Sequence, residues 1–388
     1  MSGPSTSTPK PHGNGEREVR ESVVIRFAGD SGDGMQFAGS QFTLETALAG
    51  NDLATFPDFP AEIRAPAGTT YGVSAFQIHF GSTDIRTAGD DVDVLIAMNP
   101  AALKVNVKDV RIGGMILADV GAFNERNLSK AGFEKSPLDD GTLAPYQIMK
   151  LDISKLTLDA VERFGLGQKD ALRCRNMWAL GLMLWMYDRD RQATVQWLSK
   201  KFGKKTELRD ANIAALNAGH AFGETAELPA HLAGYSVAKA QVQPGTYRTI
   251  TGTETLALGL LAGARAAGID RVVFGSYPIT PASPLLHTLT GLRKYGIVTF
   301  QAEDEIAAIG AAIGAAFAGA LGVTSSSGPG VALKMEGLGL AIMTELPLIL
   351  VNSQRAGPST GMPTKTDQAD LYQAVFGRNA DSPVPVIS

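Results

Sequence analysis

The sequence contains a single cysteine, Cys174, among its 388 residues. One cysteine cannot form an internal disulfide, and it cannot supply the four thiolates that hold a [4Fe–4S] cluster. Any iron–sulfur centre that works with this chain must therefore be carried by another polypeptide. Cys174 itself lies in an apolar stripe of helical spacing, residues 172–185, where we expect a small buried thiol rather than a reactive one.

An excess of charge of one sign is also missing. The chain carries 35 Lys and Arg residues against 39 Asp and Glu residues, a net charge of −4. This near balance gives no electrostatic reason to bind nucleic acid, and the short basic runs at 200–201 and 204–205 lie in helical sequence, as solvated faces do. We expect no nucleic-acid partner.

Long hydrophobic runs are scarce. The longest uncharged stretch, 306–323, is mostly Ala and Gly, and it predicts a buried helix followed by a strand rather than a membrane span. Residues 1–19 are rich in Pro, Ser and Gly and contain no apolar signal-peptide segment, so they predict a disordered tail. We therefore expect a cytoplasmic protein without a membrane segment.

Two blocks of alternating strands and helices follow the tail and predict an α/β fold of two domains with largely parallel sheets. The first domain is placed at 20–225, a linker rich in Pro, Gly and polar residues at 226–246, and the second domain at 247–388. The second block ends in a strand-like segment, 382–388. Because a sheet of this kind normally continues, we expect the second domain to be incomplete and the sequence to be a truncated form of a longer subunit.

The first block opens with a predicted strand at 22–28, the glycine-rich loop 29–34 and a helix. Later strands are predicted at 71–80, 92–98 and 114–120, and helical patterns at 159–164, 172–188, 193–202 and 209–222. The loop reads G-x-x-G-x-G rather than the dinucleotide pattern G-x-G-x-x-G, and its two aspartates would repel a pyrophosphate. It also resembles the start of the GDG motif that binds magnesium and thiamine diphosphate, but no asparagine follows at the required distance. We expect a tight strand-to-helix turn.

Four short polar segments follow predicted strands of the second block. They are Tyr277-Pro278-Ile279-Thr280-Pro281, QAEDE at 301–305, SSSGPG at 325–330 and RAGPSTGMPT at 355–364. Loops that leave the carboxyl ends of parallel strands converge on one crevice, so these four should line a common ligand site.

Two charged residues of these segments suit chemistry in such a crevice. Glu305 opens a helix, where an acidic residue usually only favours the helix dipole, but it also lies at a strand end that faces the shared crevice. Arg355 follows a buried strand and can bind a carboxylate through two parallel hydrogen bonds, although many loop arginines are simply exposed.

Together the four segments resemble the pyrimidine-binding domain of the 2-oxoacid:ferredoxin oxidoreductases, most closely the large subunit of the 2-oxoglutarate enzymes. The first block is similar to the gamma domain of that family, fused ahead of the alpha domain. The resemblance spans about residues 23–388, and the family's large subunit continues beyond the part present here.

The resemblance implies oxidative decarboxylation of a 2-oxoacid, or the reverse carboxylation, with thiamine diphosphate, coenzyme A and ferredoxin. It implies that thiamine diphosphate is shared with a beta subunit that carries Mg²⁺ and the [4Fe–4S] cluster, in an α2β2 assembly. It assigns Glu305 to N1′ of the aminopyrimidine. Substrate contacts are assigned to Thr280, Arg355 and Thr364. Cofactor contacts are assigned to Tyr277, Pro278, Ile279, Ser326, Ser327 and Gly328, and no metal ligand is assigned.

Several alternatives stay open on the sequence alone. The substrate is expected to be 2-oxoglutarate, with pyruvate or a branched-chain 2-oxoacid as the alternative. A non-catalytic fragment that binds a partner is a further alternative. A self-contained thiamine enzyme lacks its diphosphate motif here, and a nicotinamide dehydrogenase would rest on the weak glycine loop alone.

Overall fold

Strands and helices alternate through both halves of the computed structural model, which describes residues 18–61, 65–226, 228, 235–358 and 361–388. The chain divides into two units, Met1–Thr246 and Tyr247–Ser388. The predicted disordered tail lies outside the described residues up to position 17, and its last two residues belong to a strand instead. None of the described helices is both long and apolar enough to cross a membrane.

The first unit is built on a six-stranded sheet in the order β3-β4-β2-β5-β6-β7. Its strands, with two short ones outside that sheet, are β1 (Glu18–Arg20), β2 (Ser22–Asp30), β3 (Asp52–Asp58), β4 (Val73–Gly81), β5 (Val92–Ala97), β6 (Val110–Asp119), β7 (Gln147–Leu151) and β8 (Tyr235–Val237). Strands β2, β5, β6 and β7 are parallel, whereas β4 runs antiparallel to both β2 and β3. The predicted parallel arrangement therefore holds for four strands, and the other edge is antiparallel.

Strand β3 was missed because its sequence contains Pro57, which cannot donate a backbone hydrogen bond. An edge strand tolerates proline because one side of the strand has no neighbour, and β3 lies at the edge of this sheet.

The predicted linker contains a short strand that the sequence did not indicate. Its residues Tyr235–Val237 form β8, which pairs in parallel with β1, Glu18 lying opposite Tyr235. This pairing joins two segments that are far apart in sequence, so no local pattern could reveal it. The linker residues 227 and 229–234 lie outside the described residues.

The helices of the first unit are α1 (Met35–Leu48), α2 (Pro100–Asn106), α3 (Glu125–Lys130), α4 (Ile153–Val161), α5 (Gln168–Leu172), α6 (Arg175–Met186), α7 (Gln192–Lys201) and α8 (Thr206–Thr225). Helix α6 is buried along nearly its whole length. Cys174 precedes it, is buried as expected, and has its pKa raised to about 11, chiefly by burial. The thiol is therefore protonated at neutral pH and is a packing group.

The glycine-rich loop between β2 and α1 is the tight turn that we expected. Gly32 and Gly34 have φ angles of 103° and 79°, which suit glycine. The Asp33 carboxylate accepts a hydrogen bond from the Asp30 amide at 2.9 Å and pairs with Arg175 at 3.2 Å. The loop thus presents carboxylate oxygens that would repel a phosphate.

Helices α6 and α8 cross at unusually short range because glycines lie at the crossing. A methyl group on Gly219 would lie 1.9 Å from the Trp178 carbonyl oxygen, and one on Gly181 would lie 2.0 Å from the Leu216 carbonyl oxygen. Backbone atoms cannot move aside as a flexible side chain can. The two helices can pack at this distance only with glycine at both positions.

We expect Gly219→Ala to lower the free energy of unfolding by about 1–3 kcal/mol or more, since the added methyl group forces the two helices apart. Thermal unfolding of the full chain measures the effect. Gly263→Ala is the matched control, because Gly263 is also helical but no atom lies within 4 Å of the methyl position. The control should keep or slightly raise stability through the better helix propensity of alanine. Equal melting temperatures for both variants would contradict the close crossing.

The second unit contains a four-stranded sheet in the order β10-β9-β11-β12, with every pairing parallel. Its strands are β9 (Val272–Ser276), β10 (Ile297–Gln301), β11 (Leu321–Ser326) and β12 (Leu348–Asn352). Its helices are α9 (Gly252–Ala266), α10 (Ser283–Gly291), α11 (Glu305–Phe317), α12 (Gly328–Leu333), α13 (Met335–Met343) and α14 (Leu371–Phe376). The sequence correctly predicted a parallel α/β arrangement here.

The final strand predicted at 382–388 is wrong. These residues form neither helix nor strand. Pro383 and Pro385 alternate with apolar residues, and each proline removes one of the amide donors that a strand needs for its ladder. Alternating hydrophobicity was therefore a misleading signal in this segment.

Candidate active site

The four polar segments leave the carboxyl ends of the four parallel strands of the second unit, as predicted. Their loops start directly after β9, β10, β11 and β12, so they share one edge of the sheet. The chain passes from β9 to β10 on one side and then crosses to β11 on the other side of β9. Such a reversal of strand order opens a crevice between the two central loops, where ligands bind in open α/β sheets.

Glu305 lies at this edge of the sheet, as the first residue of α11. The preceding Asp304 caps the helix, its Oδ1 accepting a hydrogen bond from the Ala307 amide at 2.7 Å. The Glu305 side chain is buried at 9% exposure, whereas that of Glu303 is exposed. Of the two glutamates in the segment, Glu305 is therefore the one whose carboxyl group is withdrawn from water.

Glu305 and the serine-rich segment meet at Gly330 on the first turn of α12. A methyl group on Gly330 would lie 2.8 Å from Glu305 Oε1 and 2.0 Å from Ser326 Oγ. The missing side chain at position 330 thus makes room for both groups. Two segments that the sequence singled out separately are brought into contact.

The serine segment places three hydroxyl groups in the interior. Ser325, Ser326 and Ser327 have no exposed surface, and their hydroxyl oxygens have no hydrogen-bond partner among the residues that the structure describes. Ser327 precedes α12, yet its side chain does not cap that helix. Since buried hydroxyl groups are normally hydrogen-bonded, this segment has free capacity for a polar ligand.

Arg355 and Thr280 are also brought together. Arg355 is buried at 7% exposure and donates from Nη1 to the Thr280 carbonyl oxygen at 2.9 Å. Strand β11 lies between the strands that precede these two residues, so the bond links the two loops that flank the serine segment. The guanidinium therefore also positions the loop after β9, a role that the sequence did not indicate.

A cavity of about 760 Å³ lies beside Arg355 in the second unit. Its lining includes Gly328 and Pro329 from the serine segment, Arg355, and the acidic residues Asp367 and Asp370. The volume is in the range of small-molecule sites. Arg355 and Gly328, both predicted as site residues, thus border one cavity.

The remaining predicted residues are less buried than Glu305 and Arg355. Tyr277, Pro278 and Thr280 have exposed side chains, and the Ile279 carbonyl accepts hydrogen bonds from the Ala282 and Ser283 amides. Thr364 is half-buried in the loop after β12 and is not among the residues that line the cavity. Ser359 and Thr360 of the same loop lie outside the described residues.

Comparison with known proteins identifies the fold of both units. The model of the family described as pyruvate ferredoxin/flavodoxin oxidoreductase matches residues 24–222, and the family's thiamine diphosphate-binding model matches residues 262–388. The chain belongs to the pyruvate ferredoxin/flavodoxin oxidoreductase family. Membership of this oxidoreductase family, which the four motifs indicated, is confirmed.

Three known proteins illustrate the relationship. The 2-oxoglutarate oxidoreductase subunit KorA of Mycobacterium tuberculosis is 53% identical over 386 residues, which cover 100% of this chain and 59% of that protein. The 2-oxoglutarate synthase subunit KorA of Archaeoglobus fulgidus is 48% identical over 127 residues, 32% of this chain and 36% of that protein. A solved structure, the 2-oxoglutarate:ferredoxin oxidoreductase from Magnetococcus marinus with 2-oxoglutarate, coenzyme A and succinyl-CoA bound, is 31% identical, with a TM-score of 0.74 over 94% of this chain and 57% of that chain.

The chain therefore spans 59% of the length of its M. tuberculosis relative. Within the described ranges, no group of three or more His, Cys, Asp or Glu side chains is arranged to hold a metal ion.

Two residues near the candidate site were not predicted from the sequence. Asp370 accepts a hydrogen bond from Asn352 Nδ2 at 3.2 Å, and its amide donates to Gln354 Oε1 at 2.9 Å. A methyl group on Gly328 would lie 2.9 Å from Asp370 Oδ1, so this carboxylate packs over the start of α12. No local pattern marks an aspartate that arrives from a later loop.

Lys334 is the second missed residue. It is fully buried and donates from Nζ to Thr324 Oγ1 at 2.7 Å. Burial lowers the pKa of Lys334 to about 8, while the charges of Glu305 and Asp304 act in the opposite direction. A signal was available in the sequence, because Lys334 interrupts the apolar helical spacing set by Val331 and Leu338.

Proposed function

We propose that this chain forms the gamma and pyrimidine-binding part of the large subunit of a 2-oxoglutarate:ferredoxin oxidoreductase. The observation that carries the proposal is the buried Glu305 carboxyl group held against Gly330 and Ser326 in the crevice of a thiamine diphosphate-binding domain. The printed names of its relatives, which refer to 2-oxoglutarate, support the choice of reaction.

The residues of the crevice fit the aminopyrimidine of thiamine diphosphate. A carboxylate that is withdrawn from water suits the ring nitrogen N1′, and the unpartnered serine hydroxyl groups suit its polar edge. We assign Glu305 to N1′, and Tyr277, Pro278, Ile279, Ser326, Ser327 and Gly328 to the surroundings of the ring. When bound, thiamine diphosphate supplies the nucleophilic carbon and the electron sink for decarboxylation of a 2-oxoacid.

The residues of this chain then have separable tasks. Glu305 holds or releases the proton at N1′, which is acid–base work by a carboxyl group that is withdrawn from water. Arg355 binds the substrate carboxylate and holds the Thr280 loop at the same time. We assign Thr280 and Thr364 to further substrate oxygens.

Other components of the reaction are assigned to partners. With one cysteine, this chain cannot ligate a [4Fe–4S] cluster by itself, so we place the cluster and Mg²⁺ on a beta subunit. Coenzyme A accepts the acyl group and ferredoxin accepts the electrons. We propose that the chain forms an α2β2 assembly with this beta subunit and that the assembly is located in the cytoplasm.

The proposal is tested with the assembled complex, by dye reduction in the presence of coenzyme A and one of 2-oxoglutarate, pyruvate or 2-oxoisovalerate. We expect kcat/KM for 2-oxoglutarate to exceed kcat/KM for pyruvate and for 2-oxoisovalerate by about tenfold or more. The reason is that 2-oxoglutarate carries a second carboxylate, and a site built to bind that group rejects analogues that lack it. A preference for pyruvate or for 2-oxoisovalerate would change the substrate assignment.

The chain alone is the control for this assay. It should contain no cluster iron and show no turnover. If the complex with a beta subunit oxidises none of the three oxoacids, the chain is a non-catalytic partner-binding fragment and the proposed function is wrong.

A further inference from the structure

Lys334 is a charged side chain buried without an obvious structural reason. Its ammonium group has three donors, and within the described part of the chain its one hydrogen-bond acceptor is Thr324 Oγ1 at 2.7 Å. No carboxylate among the described residues forms an ion pair with it. Buried charges that serve stability are normally paired, because desolvation otherwise makes them costly.

The position of Lys334 relates it to Glu305 through two neighbouring elements. Lys334 follows Gly330 by one helical turn, so both residues lie on one face of the turn that contacts Glu305. Its acceptor Thr324 precedes Ser326 by two positions on β11, so those side chains share a face of the strand. Ser326 Oγ and Glu305 Oε1 both lie close to Gly330. Thr324, which holds Lys334 Nζ, is the next residue on that face of β11, roughly 6–7 Å along the strand from Ser326.

We propose that Lys334 is a positioning residue of this site, whose buried ammonium group, held by Thr324, attracts the neighbouring Glu305 carboxylate and holds it in place against Gly330. The role in turnover rests on the proposed function, because it acts through Glu305. The electrostatic interaction between Lys334 and Glu305 does not depend on the proposed function.

The titratable groups that act on Lys334 are Glu305 and Asp304. Asp304 is exposed, so water screens its charge, whereas Glu305 is buried. With its pKa lowered to about 8 by burial, Lys334 is still mostly protonated at neutral pH and below.

The first test is a thermal-unfolding cycle on the full chain alone, with Lys334→Met, Glu305→Gln and the double variant. Lys334→Met should raise the melting temperature because it removes a costly buried charge. In the Glu305→Gln background, the Lys334→Met substitution should raise the melting temperature by about 2–5 °C more than in the wild type, because the lysine has already lost the negative charge that attracts it. Lys294→Met is the matched control, since Lys294 is exposed on the same unit. It should give the same small shift in both backgrounds.

The pH dependence of the same measurement supplies a second readout. The folded-state pKa of Lys334, about 8, lies below its ordinary value of 10.5. Between these values the unfolded chain binds more protons, so the stability of the wild type rises with pH in this window. The stabilisation by Lys334→Met should therefore be largest below pH 8 and should shrink as the pH approaches 10.5.

The third readout uses the assembled complex. Without the Lys334 charge, the Glu305 carboxylate should be held less firmly, so kcat should fall by about tenfold in Lys334→Met while the KM for the oxoacid changes by less than about twofold. The kinetic constants of Lys294→Met should match those of the wild type.

The outcomes separate the two proposals. Additive melting-temperature changes in the cycle, or an unchanged kcat of Lys334→Met in an active complex, would overturn the role of Lys334 while leaving the proposed function intact. A complex that oxidises no 2-oxoacid would instead remove the proposed function, and the thermal cycle on the chain alone would still decide whether Lys334 and Glu305 interact.

Discussion

Glu305→Gln should lower the turnover of the assembled complex by about 10²–10⁴-fold, the range for loss of acid–base assistance by one side chain. The substitution keeps the size of the side chain and its fit against Gly330, but it removes the carboxylate that we assign to N1′ of the aminopyrimidine. Because glutamine keeps the shape, the loss should fall on kcat rather than on folding. Dye-reduction kinetics at saturating 2-oxoglutarate measure it, and the melting temperature of the variant checks its folding.

Glu303→Gln is the matched control for this prediction. Glu303 lies two residues earlier in the same segment, but its side chain is exposed. Its loss should leave turnover within about twofold of the wild type, since surface charges away from the chemistry are screened. If Glu303→Gln is the inactive variant and Glu305→Gln is active, the wrong carboxylate has been chosen.

Arg355→Lys should lower kcat/KM for the oxoacid by about one to two powers of ten, or roughly 1.5–3 kcal/mol. Lysine keeps the positive charge, but it loses the planar fork that binds a carboxylate through two parallel hydrogen bonds. The structure adds a second reason, because one arm of this fork already holds the Thr280 carbonyl at 2.9 Å. A single ammonium group cannot hold the loop and the substrate with the same geometry.

Steady-state kinetics with each substrate varied in turn test this assignment. The KM for coenzyme A should barely change, because the proposed contact is with the oxoacid alone. Arg293→Lys is the control, since Arg293 is an exposed arginine of the same unit, and it should match the wild type. A loss confined to coenzyme A would place Arg355 outside the oxoacid pocket.

The part of the site that could be predicted depends on local sequence. The strand ends before Tyr277, Glu305 and Ser327 are marked by apolar runs followed by proline, acidic or glycine-rich segments, and the structure places all of them at one sheet edge. Parallel α/β topology then requires their loops to converge. Glu305 and Arg355 followed from that rule and from the resemblance, and the structure finds both side chains buried.

The features that were missed depend on contacts between distant segments. Strand β8 pairs with β1, and Asp370 packs over Gly328 from a later loop. Lys334 is different, because its acceptor Thr324 is only ten residues away and the break in apolar spacing was a local signal. The false strand at 382–388 shows the converse error, in which a correct hydrophobic alternation was outweighed by two prolines.

The empty space at Gly330 also limits how this site can evolve. Gly330 has no positive φ, so its backbone would accept any residue, and the restriction comes from crowding by Glu305 and Ser326. Even alanine would displace both groups at once. A lineage can therefore lose this glycine only together with compensating changes at two other positions, Glu305 and Ser326, so substitutions at these three positions should be inherited as a set rather than accumulate one at a time.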